Sequence, residues 1–368
     1  MQPIKPRYEV LDGLRGVAAL IVLCYHICEA IAFAPLNSTT PEQGLYHGFL
    51  AVDFFFILSG FVMGYAYDER LADGSMTLRS FIRRRLVRLH PMVVMGVVMG
   101  VVAYLIQGGQ TWDGTHVATS VLMLSTLLAL FCLPTPTSMD VRGNTEAFPI
   151  NGPHWSLFLE YLGSLLYGMF LHRVSQRVLR VWVALSGLLL LSFSLWQGEG
   201  TIGYGWSSEP WNMLGGMLRI SFGYPMGLLL ARRYRQHKPA TLPLSGGFWI
   251  FSALLLVLFL VPGLGALSSY YQVAVVCLVF PMLVWQAARV VVPAGQLPLV
   301  RFLGRLSYPL YAVHYPLIYL YIYWIQQTDP QGLTFWGGAV AVFLANVLLG
   351  TLCLLWWDEP VRKKLSRE

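Results

Sequence analysis

The chain has 368 residues, of which 56% are hydrophobic and 12% charged, with a formal net charge of +7. Soluble domains carry about 25% charged residues, so this composition excludes a soluble domain and implies a polytopic membrane protein. A basic balance that would suggest nucleic acid in a soluble protein is here explained by topology signals, and no nucleic-acid partner is expected.

The first apolar run, residues 11–33, can cross a bilayer at roughly 1.5 Å per residue against about 30 Å of hydrocarbon. It exceeds a signal-peptide core and lacks a small-residue cleavage pattern, so it is expected to stay in the mature protein. It also carries Asp12, Arg15, His26 and Glu29. At about 100° per residue these four fall within an arc of roughly 100°, one polar stripe on an apolar helix. Ionisable groups cost about 2.5–3.5 kcal/mol or more at a bilayer centre, so the stripe must face a bundle interior or a wet cavity.

Hydropathy places ten spans near 11–34, 49–67, 89–107, 153–172, 179–197, 211–231, 247–266, 270–290, 304–326 and 335–357. The fold class is therefore an all-α polytopic membrane protein. An eleventh apolar run, 117–133, is expected to be re-entrant or interfacial. A full crossing there would put Arg173, Arg177, Arg180 and every later basic loop outside, against the positive-inside rule. With both termini cytoplasmic, all of the 25 Lys and Arg residues except Arg142 and Arg219 lie in or beside cytoplasmic segments. The chain reads as one membrane domain, 1–368, with a long outer connection at 108–152 and no internal repeat.

The second span buries Asp53 near its outer end, where pairing with Arg or His across a cavity and solvation at the interface both remain open. Mid-span Ser59 and Gly60 read as a helix-packing pair. In 81–91, Arg84 and Arg88 lie four apart and share a helix face, with Arg85 turned about 100° away. That cluster is either a lipid anchor or a phosphate clamp of guanidinium forks. Glu160, about two turns into the fourth span, must be paired, protonated or wet. Trp155 and His154 read as interface residues. His314 falls between Pro309 and Pro316, which can free carbonyls and bend the helix; alone it reads as a packing residue. Glu359–Pro360 is expected to end the last span. The five cysteines, Cys24, Cys28, Cys132, Cys277 and Cys353, lie in apolar runs without the spacing of a disulfide framework or metal site; they read as core filler, and no metal is expected.

Taken together, these stretches resemble the bacterial integral-membrane acyltransferase 3 family over nearly the whole chain. The resemblance rests on Leu11-Asp12-Gly13-Leu14-Arg15-Gly16 with His26, on Val52 to Phe61 (VDFFFILSGF), and on Phe81, Arg84, Arg85, Arg88 and Pro91. It continues through Trp155-Ser156-Leu157 with Glu160, through Gly304, Ser307, Tyr308, Tyr311 and His314, and ends at Glu359-Pro360. Two departures are local: Ala51 stands where Gly is usual, and Pro309 follows the Ser-Tyr pair.

The resemblance implies an O-acyltransferase that moves an acyl group, most often acetyl, from cytoplasmic acyl-coenzyme A to a hydroxyl of a cell-envelope or exported carbohydrate. It resembles the stand-alone kind without an extracytoplasmic SGNH hydrolase-like domain, resident in a bacterial inner membrane. His26 is then the expected base or nucleophile, since an imidazole titrates near neutrality. Glu160 or Glu29 would orient it, and Arg15 would hold phosphate or the thioester oxygen. Arg84, Arg85, Arg88 and Arg15 are the expected coenzyme A ligands, and Asp53, Ser59, Trp155, Tyr308 and His314 the expected substrate-binding set. Partners are acyl-CoA, the glycan acceptor and membrane lipid; a homo-oligomer is compatible with the sequence. The competing class is a proton-coupled transporter, because His and carboxylates in spans also make relays. Matching broken helices in two repeated halves, which that class favours, are not evident.

Overall fold

The computed structural model describes residues 8–33 and 45–366. Residues 35–44 of the first expected outer connection, and Arg367, lie outside the described residues. Hydrocarbon offers no partner to a bare N–H or C=O, so an apolar chain crossing it folds as helix. The helices are α1 (Glu9–Phe33), α2 (Ala51–Ala72), α3 (Leu78–Ile106), α4 (Thr119–Leu130), α5 (His154–Met169), α6 (Gln176–Gln197), α7 (Pro210–His237) and α8 (Gly247–Leu260). They are followed by α9 (Ser268–Ala274) and α10 (Phe280–Ala287), then α11 (Leu297–Thr328), α12 (Gly332–Cys353) and α13 (Glu359–Leu365). Among the described residues β-structure is limited to three isolated bridges.

Each of the ten expected spans is helical, and among the described residues seven helical segments are both long and apolar enough to cross a bilayer. α5 and α8 are shorter, at 16 and 14 residues, and the 32-residue α11 is diluted by Tyr, His and Pro. Ion pairs knit one end of the bundle: Arg301 to Glu9, Arg305 to Glu359, Arg232 to Asp68 and Arg362 to Asp358. This basic end is the one that the sequence expectation put in the cytoplasm. At the far end Gln107, just past α3, donates to the Tyr319 carbonyl, and Asn151, just before α5, donates to that of Ala312. The chain therefore enters and leaves the α4 segment from the far side, as a re-entrant helix does.

Proline explains several local features. Its missing N–H and its ring clash with the carbonyl four residues back. The π-turns Val275–Val279 and Leu354–Asp358 each end two residues before a proline, Pro281 and Pro360. The second corrects the expectation that Glu359–Pro360 ends the last span: the helix widens for one turn and resumes as α13. α11 likewise runs unbroken through Pro309 and Pro316. Pro316 frees the Ala312 carbonyl, which takes hydrogen bonds from Asn151 (2.9 Å) and His154 (3.3 Å). His154 is thus fully buried rather than interfacial. Pro225 frees the Ser221 carbonyl, which accepts from Trp182 Nε1 at 3.1 Å.

Two close helix crossings hold the centre. α2 meets α7 where a methyl on Gly60 would lie 2.0 Å from the Tyr224 oxygen, and one on Gly227 2.0 Å from the Ile57 oxygen. α1 meets α11 at Gly16, where a methyl would lie 2.4 Å from the Leu303 oxygen. Only small residues allow backbones this near. The crossings aim the polar stripe of α1 and the middle of α2 inward, toward α5 and α11.

Candidate active site

Two chambers lie end to end inside the bundle. The outer one, about 360 Å³, is lined by His26 and Glu29 of α1, by Trp155, Arg219 and Tyr315, and by Glu146 of the connection before α5, among others. His26 Nδ1 lies 2.7 Å from Glu29 Oε2 one turn on. The hydroxyls of Tyr25 and Tyr315 approach the same carboxylate at 3.4 Å. A carboxylate only accepts, so Nδ1 carries the proton of this bond and Nε2 is left with its lone pair in the neutral ring. The His26 side chain is 18% exposed and opens on the chamber. Behind it, His314 is buried 5.2 Å away, centre to centre, with Nδ1 donating to the Tyr311 carbonyl at 2.8 Å.

The inner chamber, about 230 Å³, lies toward the basic end and is lined by Arg15, Ser59, Arg85, Arg88, Glu160 and Tyr308, among others. Arg15 is fixed across the α1–α11 crossing: Nε donates to Ser307 Oγ and NH2 to the Gly304 carbonyl, each at 2.9 Å. Glu160 Oε1 accepts from Arg85 at 2.7 Å and from Ser59 at 2.9 Å. Arg85 also donates to Ser164 at 3.1 Å. Val52 and Tyr311 line both chambers and form the neck between them. The Tyr311 hydroxyl shares a 2.6 Å hydrogen bond with Ser156, and Phe55 packs edge-on against its ring.

Of the two cations that broke the charge pattern, Arg219 lines the outer chamber and Arg142 lies over Tyr319, which lines it. Arg219 holds Asp53 with two hydrogen bonds, 3.0 and 2.8 Å, at 1% and 0% side-chain exposure. It also donates to the Tyr204 and Phe49 carbonyls and stacks over Trp155, 5.1 Å from the ring centre. Arg142 donates to the Pro149 carbonyl and to Gln107, and lies 3.3 Å from the centre of the Tyr319 ring. The Tyr319 hydroxyl in turn donates to Glu146.

Burial pushes the Glu146 carboxyl, in the connection outside the spans, up to about 8 from its ordinary 4.5. Neighbouring Asp140 and Glu29 reinforce the shift, while Arg142 and the Tyr319 hydroxyl oppose it. The folded state thus keeps a proton that the unfolded chain gives up near 4.5. Its stabilising effect is full below that value and is lost as pH rises toward about 8. Glu146→Gln, which imitates the neutral acid, is expected to remove this decline. Thermal unfolding midpoints at pH 5.5 and 8.5 check it: the variant should gain on wild type as pH rises.

Of the expected site residues, the structure brings His26 and Glu29 together, with Trp155 on the same chamber and His314 behind. Arg15, Ser59, Arg85, Arg88, Glu160 and Tyr308 share the other chamber. Glu160 is engaged by Arg85 and Ser59, so the carboxylate on the His26 ring is that of Glu29. Arg84 is exposed at the basic end. Sequence reasoning did not assign a role to Arg219, Arg142, Glu146, Tyr311 or Ser156. The only signal for the first two was their place outside the cytoplasmic charge pattern. Among the described residues no three His, Cys, Asp or Glu side chains gather as a metal-ligand set.

A helical bundle with a histidine–carboxylate pair in one internal chamber and arginines in the next fits a polytopic membrane enzyme of group transfer. A family model described as an acyltransferase domain matches residues 8–355, and the chain belongs to that acyltransferase family. It is similar to "Protein 2 in picA locus" of Rhizobium radiobacter, 29% identical over 191 residues, 50% of this chain and 93% of that protein. It is also similar to "Acyltransferase MdmB" of Streptomyces mycarofaciens, 33% identical over 199 residues, 51% of this chain and 46% of that one. A protein of Staphylococcus aureus (strain COL) named as an O-acetyltransferase matches at 37% over 99 residues, 26% of this chain and 14% of that protein. No solved structure matches.

Proposed function

We propose that this membrane acyltransferase takes an acyl group, acetyl in the first instance, from cytoplasmic acyl-coenzyme A and places it on a hydroxyl of a carbohydrate reaching the outer chamber. The donor's phosphates stay at the basic end with Arg84 and Arg88, and its arm passes Arg15 and the neck at Val52 and Tyr311. Along α1, Arg15 and His26 are about 16 Å apart, within reach of an extended pantetheine. The sugar hydroxyl attacks the thioester carbonyl carbon as His26 Nε2 takes its proton; Glu29 on Nδ1 steadies the imidazolium. The carbon–sulfur bond then breaks and the thiolate recovers the proton, giving ester and free coenzyme A. Trp112, Trp155 and Trp206 offer aromatic faces to a sugar, and Asn144 and Glu146 offer hydrogen bonds to its hydroxyls. The membrane would be a bacterial inner membrane and the acceptor an exopolysaccharide, O-antigen or lipid-linked glycan.

The observation that carries this reading is the neck: Arg15, Arg85 and Arg88 lie on one side of it and the His26–Glu29 pair, with Arg219, on the other. The test is free-thiol release from acetyl-coenzyme A by the purified protein, with and without extracted cell-envelope glycan. Release that rises with glycan is the expected result. No release and no coenzyme A binding would return the chain to the transporter reading.

A further inference from the structure

At the basic end, the start of α3 and the short α13 enclose a third cavity, about 270 Å³, lined by Ser80, Arg83, Arg84, Arg88, Arg362 and Ser366, among others. Four guanidinium groups meet there. Among the described residues only that of Arg362 has a carboxylate partner, Asp358 at 2.7 Å. Arg83 donates to the Leu365 carbonyl at 3.2 Å, tying α13 to α3. Among the described residues four guanidiniums face one carboxylate, an excess positive charge that phosphate oxygens complement, because a guanidinium fork binds them two at a time. Tyr67 and Arg88 line both this cavity and the inner chamber, so the three cavities follow one another from the basic surface to His26.

Resting on the donor reading above, we infer that α13 is the second jaw of a phosphate clamp. Arg362, with Arg84 opposite it on α3, holds the 3′-phosphate of the donor and makes the enzyme select coenzyme A over forms lacking it, while Arg88 faces the diphosphate. The order of cavities matches the order of that molecule's parts. A three-phosphate end meets the arginine mouth, an uncharged arm meets the inner chamber, and the thioester meets the outer one. The π-turn at Leu354–Asp358 sets the direction in which α13 leaves α12, and so the position of the jaw.

The test is calorimetric titration of the full-length purified protein with coenzyme A and with dephospho-coenzyme A. Wild type is expected to bind coenzyme A at least tenfold more tightly. Arg362→Ala and Arg84→Ala should each weaken coenzyme A about tenfold while leaving dephospho-coenzyme A within twofold, so that the preference collapses; Arg362→Lys should keep part of it. The unchanged binding of dephospho-coenzyme A reports that each variant is folded. Equal wild-type affinity for the two ligands, or a preference that survives Arg362→Ala, overturns the clamp while leaving the donor reading intact. Failure of wild type to bind either ligand overturns the donor reading itself. The same titrations in nanodiscs with and without phosphatidylglycerol separate the other source of phosphate. If Arg362→Ala reduces phosphatidylglycerol retention and leaves coenzyme A affinity unchanged, the cavity belongs to a lipid headgroup and the clamp is overturned.

Discussion

His26→Ala is expected to lower acyl transfer by about 10²–10⁴-fold, the usual worth of a positioned general base, with the folded state kept. The ring lines a cavity, its one strong polar partner is Glu29 on the next turn of the same helix, and across to α11 it touches only the Tyr315 and His314 rings, so removing it leaves the close crossing at Gly16 in place. Glu29→Gln is the informative companion. An amide oxygen can still accept from Nδ1 and hold the ring in place, but it cannot balance the imidazolium that forms when Nε2 takes the hydroxyl proton. Its rate should fall between wild type and His26→Ala. The readout is product formation from acetyl-coenzyme A at saturating glycan, with the unfolding midpoint measured beside it. A His26→Ala protein as active as wild type would remove His26 from the chemistry, and Glu29 with it.

How much of this site could be read from residues alone follows from the range of the interactions. The stripe of α1 was legible because helical periodicity is local: Asp12, Arg15, His26 and Glu29 fix one another's direction within a single element. The three turns between Arg15 and His26 even place them on opposite sides of the neck, though the neck itself was invisible. Its Tyr311 bonds to Ser156, 155 residues away. Glu160 was legible as a carboxylate needing a partner, but its partner Arg85 lies 75 residues earlier on another helix, and nothing in the spacing selected it over His26. Pro309 and Pro316 were legible as residues that free carbonyls, whereas Pro360 was misread as an end. Whether a freed carbonyl bends a helix depends on what else can donate to it, and Asn151 lies at the end of a connection whose path the sequence did not specify, with His154 at the start of α5 after it. Glu146 left no periodic signal because it sits in irregular chain, where burial is decided wholly by tertiary packing.

Asp53 is where the largest loss of stability is expected. Its carboxylate is fully buried and faces the Arg219 guanidinium, so Asp53→Ala leaves a cation without its counter-charge in a low-dielectric interior, a change that costs about 3–5 kcal/mol. Arg219→Met leaves the opposite charge stranded and also abandons the Phe49 and Tyr204 carbonyls, so it should cost at least as much. The double variant Asp53→Ala with Arg219→Met buries no charge and should be more stable than either single change. Unfolding midpoints in detergent for the four proteins give the coupling directly. Activity separates the two members further. The Asp53 carboxylate is sealed behind Arg219, whereas the guanidinium borders the outer chamber over Trp155. Asp53 therefore acts by holding Arg219 in place, and a double variant that regains stability should not regain transfer. If Asp53→Ala instead unfolds at the wild-type temperature and loses only activity, the pair is not a structural strut, and the carboxylate must be reached by substrate after all.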